Sequence, residues 1–300
     1  MTRNEDLALP RPVGDSQSEM AEIVLPNDSN GGFLARRCAS MSKGWLLRSR
    51  LNVMVDSHAS LAPVRQPHAV LELGSRRLKA LKIERLVGLA ARPQPMRLLE
   101  IGCGAGGIAH YFGTHATLRI EVDAVDVVDS RQIVEGYQFQ LVTDTSLPFG
   151  DGSFDVVLSN QVIEHVGGRD AQLAHLREIR RVLRADGVGY FAGPNRWMLV
   201  EPHYQLAFLS WLPHDWRSSY LKLRRGVEFY DCEPLQMREL EGLFVQAGLR
   251  FENLCVESVR TVLEIERPQS LMRKVLDCVP DACIAMLRRI IPIFIYRVRP

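Results

Sequence analysis

From residue 96 onward, short apolar runs alternate with stretches of helical periodicity. The runs predict strands at 97–101, 120–125, 139–142, 154–158 and 187–192. Helices are predicted between them, after Gly104, after Asp129 and over 170–184. Such alternation is typical of an α/β fold whose parallel sheet is covered by helices on both faces. Ligands of these sheets bind beyond the carboxyl ends of the strands.

The pattern also predicts how the chain is divided. Residues 1–30 are rich in polar residues and proline and are expected to be a disordered tail, and 31–92 an N-terminal helical segment with helices at 33–54 and 70–89. Residues 93–300 are expected to form the main domain, with an irregular insertion at 194–232. A helix at 234–247, a strand at 251–256, a helical stretch at 271–288 and a strand at 293–298 follow. The last strand is expected to run antiparallel and to pair with 251–256.

The charge balance argues against a nucleic-acid partner. The 300 residues carry a formal net charge of +2, and the densest basic group is Lys222, Arg224 and Arg225. Three nearby cations are more often a solvated face than a phosphate-binding patch. We therefore expect no nucleic-acid binding.

The cysteines predict a reducing, cytoplasmic location and no metal site. None of the six cysteines forms a CxxC pair or stands beside histidines at metal-ligand spacing. The N-terminus lacks the apolar region of a signal peptide. Residues 271–296 combine apolar residues with charged ones such as Arg288 and Arg289. Such a stretch could lie on a membrane surface, and we expect any membrane contact to be peripheral at most.

A glycine-rich turn, LLEIGCGAGG, follows the first predicted strand. Gly102, Gly104 and Gly106 suit a sharp turn at which backbone approaches a ligand, and Glu100 places a carboxylate at the strand end. Gly102, Gly104 and Gly107 also satisfy the dinucleotide fingerprint GxGxxG. The turn alone therefore leaves a nicotinamide-dependent oxidoreductase and a purely structural turn as alternatives.

A second acidic residue follows the next predicted strand. Asp126 ends the run IEVDAVD, where a carboxylate accepts hydrogen bonds from ribose hydroxyls. Asp123 and Asp129 are rival candidates, but Asp126 follows the apolar pair 124–125 directly. This residue supports a nucleoside cofactor without distinguishing between cofactors.

A third block distinguishes them. The ordered set EIGCGAGG, VDAVD, DTSLPFGDGSFDVVLSNQVIEH and GPNRW resembles class I S-adenosylmethionine-dependent methyltransferases of the type 11 and ubiquinone-biosynthesis-like groups, most strongly over 97–193. The resemblance implies a seven-stranded Rossmann-like sheet, mostly parallel with its last strand antiparallel, and S-adenosyl-L-methionine as cofactor. It implies that Glu100, Gly102, Gly104 and Gly106 shape the methionine pocket, that Asp126 binds the ribose and Asp144, beside Thr145, the adenine, and that Asn160 and Gln161 lie near the sulfonium.

The pair Glu164–His165 departs from a pattern of some ubiquinone-pathway relatives. Those relatives carry a Glu-x-x-Glu-His pattern associated with a metal, whereas the first position here is Gln161. A pair that opens a helix is the favoured interpretation, and a role for His165 near the acceptor is the functional alternative. No metal is expected.

The insertion lies where such methyltransferases place acceptor-binding elements. Its aromatic residues suit a sugar-like or lipid-like acceptor, although a packed lid is an equal alternative: Trp197, His203, Tyr204, Trp211 and Trp216. Glu201 and His203 are the leading candidates for a general base, and a structural histidine is the alternative. The sequence predicts methyl transfer, by preference O-methylation, to a small-molecule, glycan-linked or lipid-linked acceptor. A non-catalytic methyltransferase fold is the rival outside the enzymes.

Overall fold

The computed structural model describes residues 73–300. In chain order its strands are β1 Met96–Ile101, β2 Ile120–Asp126, β3 Gln138–Leu141, β4 Phe154–Asn160, β5 Leu183–Pro194, β6 Val200–Glu201, β7 Leu206–Ala207, β8 Arg250–Asn253 and β9 Ile293–Arg299. Its α-helices are α1 Leu73–Val87, α2 Gly107–Gly113, α3 Arg169–Val182, α4 His214–Arg225, α5 Met237–Gln246, α6 Cys255–Glu266, α7 Leu271–Asp277 and α8 Asp281–Met286.

Within this part of the chain, seven strands form one sheet in the order β3-β2-β1-β4-β5-β9-β8. The pairs among β1 to β5 are parallel. Strand β9 runs antiparallel to both of its neighbours, β5 and β8. The predicted fold class is therefore confirmed, including the antiparallel last strand and its pairing with the strand that begins near residue 251.

Neighbouring residues of the central strands face opposite cores, because side chains alternate along a strand. Leu98 belongs to a core on the side of α1 and α2, where Ile83 and Phe112 are fully buried. Leu99 belongs to the other core, with Leu176 of α3 and other residues of α3 and α5. Two covered faces explain why these strands are nearly continuous apolar runs.

Three predicted elements differ in the structure. Residues 127–137 form no helix after Asp129; the backbone N–H groups of Gln132 and Ile133 instead donate to Ala105 O, which holds the segment against the glycine loop. The predicted strand 251–256 ends at Asn253, whose side-chain oxygen accepts the N–H of Cys255 in an Asx turn, and α6 begins at Cys255. The predicted helix 271–288 is divided into α7 and α8 at Pro280.

The predictions for the N-terminal segment and for the insertion have different outcomes. The helix predicted at 70–89 is α1, which ends before the left-handed Gly88. The helix predicted at 33–54 and the tail predicted at 1–30 lie outside the described residues. The insertion contains the β6–β7 pair, α4 and a small core of its own around Tyr204 and Leu221. No helix of residues 73–300 combines the length and the apolar character that a membrane span needs.

Candidate active site

The glycine loop joins β1 to α2 through a tight turn in which three glycines have left-handed backbone angles. Gly102, Gly104 and Gly106 all have positive φ, at 74°, 52° and 82°. A Cβ added to Gly102 would stand 2.6 Å from Val162 Cγ2, and one added to Gly106 would collide with the Tyr137 hydroxyl. Gly102 and Gly106 are therefore required for close packing of the loop, and all three glycines for its backbone angles.

Asp126 fixes this loop to the end of β2. One carboxylate oxygen accepts the backbone N–H of Gly104 at 2.8 Å, and the other accepts that of Val127 at 2.7 Å. Of its rivals, Asp123 is bound to Arg97 at 2.9 Å and Asp129 to Arg131 at 2.7 Å. Only Asp126 of the three touches the glycine loop, which supports its choice as the ribose ligand.

Glu100 is buried at the end of β1, with 2% of its surface exposed. Burial raises its pKa to about 8, although the backbone N–H of Ala109 and the charges of Arg76 and Lys79 oppose that rise. Its Oε2 has no hydrogen-bond partner among the described residues. A buried carboxylate oxygen without a hydrogen-bond donor is suited to bind a ligand's ammonium group.

Helix α1 brings two cations to this end of the sheet that the sequence analysis missed. The charges of Arg76 and Lys79 lower the pKa of Glu100, and the charge of Lys79 also interacts with that of Glu164. Burial, together with Arg76 and Lys82, lowers the pKa of Lys79 to about 8. The helix was predicted, but no sequence signal distinguishes these positions from other basic residues of α1.

The remaining predicted cofactor residues follow β3 and β4. Asp144 is exposed, Thr145 is half-buried, and Asp144 accepts the N–H of Ser146 at 2.7 Å. Asn160 is the last residue of β4. Gln161 follows it with φ of 58°, and its Nε2 is buried without a partner among the described residues. A non-glycine residue in the left-handed region is strained and is often found at functional sites.

The three predicted catalytic residues lie together. His165 and His203 pack edge to face with ring centroids 5.2 Å apart. Nδ1 of His203 lies 2.6 Å from Oε1 of Glu201, whose other oxygen accepts the N–H of Tyr204 at 2.8 Å. Burial lowers the pKa of His203, but the hydrogen bond and charge of Glu201 more than offset this, so that the pKa is raised. His165 comes from the loop after β4 and the other two from the insertion.

Three further residues of this cluster were not predicted as site residues. Asp231 and Cys232 lie between α4 and α5, and Cys232 Sγ is 3.8 Å from His165 Nδ1 and 3.9 Å from His203 Nδ1. Glu164 is fully buried, which raises its pKa to about 7. The residues are spread over 164–232, so no local spacing in the sequence could reveal the group.

The aromatic residues of the insertion divide between a core and a surface. Tyr204 is buried in the insertion's core. Trp197 and Trp211 are about two-fifths exposed, at 39% and 40%, with ring centroids 5.6 Å apart. Trp216 is more exposed, at 66%. The lid interpretation therefore holds for Tyr204, whereas the tryptophans offer a partly exposed aromatic surface.

Comparison with known proteins identifies the domain. Residues 99–191 match the family model of a methyltransferase domain. A ubiquinone biosynthesis O-methyltransferase of Parvibaculum lavamentivorans is 26% identical over 55% of this chain and 63% of its own length. The uncharacterized methyltransferase YcgJ of Bacillus subtilis is 38% identical over 36% of this chain and 41% of its own. A probable S-adenosylmethionine-dependent methyltransferase of Mycobacterium tuberculosis is 41% identical over 36% and 39%.

The chain carries a class I S-adenosylmethionine-dependent methyltransferase domain of the type 11 group. The predicted family is thereby confirmed. The match spans less than two thirds of the length of each of these relatives. The unpartnered Glu100 oxygen, the left-handed loop and Asp126 fit the methionine and ribose parts of this cofactor.

Proposed function

We propose that this protein transfers a methyl group from S-adenosylmethionine to a hydroxyl oxygen of a small-molecule, glycan-linked or lipid-linked acceptor. The observation that carries the proposal is the pair of the buried Glu201 and the half-buried His203, with Oε1 and Nδ1 2.6 Å apart. The ring of His203 packs against that of His165. His165 lies in the loop after β4, the strand that ends at Asn160. This arrangement supports a base beside the proposed cofactor residues, because ligands of parallel sheets bind at the carboxyl edge.

The cofactor supplies a methyl group already activated by its sulfonium. The protein's own task is to hold the acceptor in line and to remove the hydroxyl proton. When the ring of His203 is neutral and donates its Nδ1 proton to Glu201, the lone pair that accepts the acceptor's proton is on Nε2. Glu201 holds the ring in that orientation and stabilises the imidazolium that forms.

The aromatic surface supports an acceptor with apolar faces and polar edges. Trp197 and Trp211 pack edge to face, and the indole N–H of Trp211 donates to Met198 O at 2.8 Å. Rings fixed in this way suit the apolar face of a sugar or the first carbons of a lipid. The ubiquinone biosynthesis O-methyltransferase relative acts on oxygen by its name, which agrees with an oxygen acceptor.

The first test is titration calorimetry of S-adenosylmethionine with the wild-type protein, Asp126→Ala and Asp129→Ala. We expect Asp126→Ala to weaken binding about tenfold or more, which is roughly 1.4 kcal/mol. Asp129→Ala is the matched control, because Asp129 pairs with Arg131 at 2.7 Å and does not contact the glycine loop. Binding of a nicotinamide dinucleotide without binding of S-adenosylmethionine would overturn the proposal.

The second test separates an enzyme from a binding protein. Release of S-adenosylhomocysteine is followed while hydroxylated glycan and lipid precursors are screened as acceptors. With an acceptor in hand, His203→Asn is expected to lower turnover by 10²-fold or more, the usual range for a general base, and to leave cofactor affinity within twofold. If His203→Asn turns over like the wild type, the assignment of the base is wrong.

A further inference from the structure

A mixed cluster of nitrogen, sulfur and oxygen donors lies beside the proposed base. It draws on the loop after β4, the β6–β7 turn and the segment between α4 and α5. Its members are Glu164, His165, Glu201, His203, Asp231 and Cys232. The proposed methyl transfer uses His203 and Glu201 and gives no role to the acids and the thiol on the other side of His165.

Three donor atoms of this cluster are close to the spacing of a tetrahedral metal site. Cys232 Sγ lies 3.8 Å from His165 Nδ1 and 3.5 Å from Asp231 Oδ1. The three ligand atoms all lie within 4.8 Å of one another. With metal–ligand bonds of about 2.0 to 2.3 Å, tetrahedral ligands stand about 3.3 to 3.8 Å apart. An ion therefore needs only a small closing movement of these side chains.

Glu164 supplies a second, independent indication of a cation. Its side chain is 0% exposed, and neither carboxylate oxygen has a hydrogen-bond partner among residues 73–300. Nε2 of His165 lies 3.9 Å from Oε1 of Glu164. A buried carboxylate oxygen without a hydrogen bond is costly. An ion bound at Nδ1 of His165 would leave the ring proton on Nε2, on the side of Glu164, as in carboxylate–histidine–zinc sites.

We propose that His165 Nδ1, Asp231 Oδ1 and Cys232 Sγ bind one divalent ion of the zinc type, with Glu164 orienting the His165 ring through its Nε2 proton. A thiolate and an imidazole favour Zn²⁺ over Mg²⁺ or Ca²⁺, which prefer oxygen ligands alone. The sequence analysis expected no metal because Gln161 breaks the Glu-x-x-Glu-His pattern. In the structure, Asp231 and Cys232 come from a distant segment and complete a different ligand set around His165.

The ion would have a consequence for the reaction that rests on the proposed function. A hydroxyl bound to a divalent ion loses its proton more readily, because the ion stabilises the alkoxide. His203 Nδ1 lies 3.9 Å from the proposed sulfur ligand. The ion would therefore lie near the His203 ring, on its Nδ1 side.

The test uses the full chain after dialysis against a chelator, with zinc alone and then cobalt alone as probes. Calorimetry is expected to show one equivalent of tightly bound Zn²⁺, and Co²⁺ to give the near-ultraviolet absorption of a cobalt–thiolate bond. Cys232→Ser is expected to abolish that absorption. Cys278→Ser is the control, because Cys278 is an exposed thiol outside the cluster, and it should leave the absorption unchanged.

His165→Gln keeps the test decisive if Cys232→Ser does not fold as judged by circular dichroism. It is expected to weaken Zn²⁺ binding at least tenfold. The inference is overturned if Zn²⁺ does not bind, if Mg²⁺ binds as tightly, or if the cobalt–thiolate absorption survives in folded Cys232→Ser. Neither probe needs the cofactor or an acceptor, so failure here leaves the methyltransferase proposal standing, and failure of cofactor binding leaves this inference standing.

Discussion

The carboxylate of Asp126 accepts the backbone N–H of Gly104 at 2.8 Å, so that one side chain joins the end of β2 to the glycine loop. Its second oxygen accepts the N–H of Val127 at 2.7 Å. A residue expected to bind a ribose is thus also a loop anchor. Loss of ligand binding in a variant at this position therefore has two sources, the lost contact with the ribose and the lost anchor of the loop.

Asp126→Asn is expected to retain one of these backbone hydrogen bonds and Asp126→Ala neither. With about 1 kcal/mol for each hydrogen bond, the free energy of unfolding should fall by about 1 kcal/mol in Asp126→Asn and about twice that in Asp126→Ala. Urea denaturation measures both values. Both variants should lose affinity for S-adenosylmethionine, because neither keeps the charge. An Asp126→Ala protein as stable as the wild type would show that the loop does not depend on this anchor.

Gly106→Ala is predicted to destabilise the protein by more than about 2 kcal/mol. Gly106 has φ of 82°, and a Cβ there would meet the Tyr137 hydroxyl and Ile133 O. The strain and the overpacking therefore add. Gly242→Ala is the control, since Gly242 is inside α5 and a Cβ there would have its nearest neighbour at 4.0 Å. That change should stabilise by up to about 1 kcal/mol. Equal effects of the two substitutions in thermal denaturation would contradict this prediction.

The centre of the sheet was predictable from sequence because strands β1, β4 and β5 are buried on both faces. Leu98 and Leu99 face different cores, and both must be apolar. A helix was predicted after Asp129, but the conformation of this segment depends on hydrogen bonds to Ala105 in the glycine loop. Long-range contacts of this kind leave no periodicity in the sequence.

The candidate site was predictable only in part, for a similar reason. Asp126 follows an apolar strand directly, so the end of the strand and its carboxylate are both visible in the pattern. Cys232 is a single thiol 67 residues beyond His165, and only the fold of the insertion brings its sulfur to 3.8 Å from that ring. Residues that follow the ends of strands can thus be predicted, whereas the contact of Cys232 with His165 across the insertion cannot.

Glu100→Gln is predicted to make the protein more stable at alkaline pH and worse at binding the cofactor. Burial raises the pKa of Glu100 to about 8 from an ordinary value of 4.5. A raised carboxyl pKa in the folded state gives stability that is present below pH 4.5 and is lost as the pH rises through 8. Glutamine does not titrate, so its advantage over the wild type should grow across this window to a few kcal/mol.

Urea denaturation at pH 5, 7 and 8.5 measures this advantage. Glu121→Gln is the surface control, because Glu121 is exposed on β2. Calorimetry at pH 8 should show at least tenfold weaker S-adenosylmethionine binding by Glu100→Gln, because the ligand's ammonium group loses its carboxylate partner. A constant stability difference at all three values would mean that Glu100 titrates normally.

His175 is predicted to cause a loss of stability in mild acid. The ring is 2% exposed, and its Nε2 lies 2.9 Å from Ser159 Oγ. Burial lowers its pKa to about 4 from the ordinary 6.5. The unfolded chain therefore binds a proton between these values and the folded protein does not, so stability is complete above pH 6.5 and falls as the pH drops toward 4. The full effect is about 3 kcal/mol, from 1.36 kcal/mol for each pKa unit.

His175→Gln removes the titrating ring and keeps a side chain that can bond to Ser159. It is expected to be less stable than the wild type at pH 7, because the packing is poorer, and to recover relative to it as the pH falls to 4.5. Urea denaturation at pH 7, 5.5 and 4.5 measures that convergence. If the difference between His175→Gln and the wild type is the same at all three pH values, the buried ring is protonated in the folded protein and is not the source of the acid sensitivity.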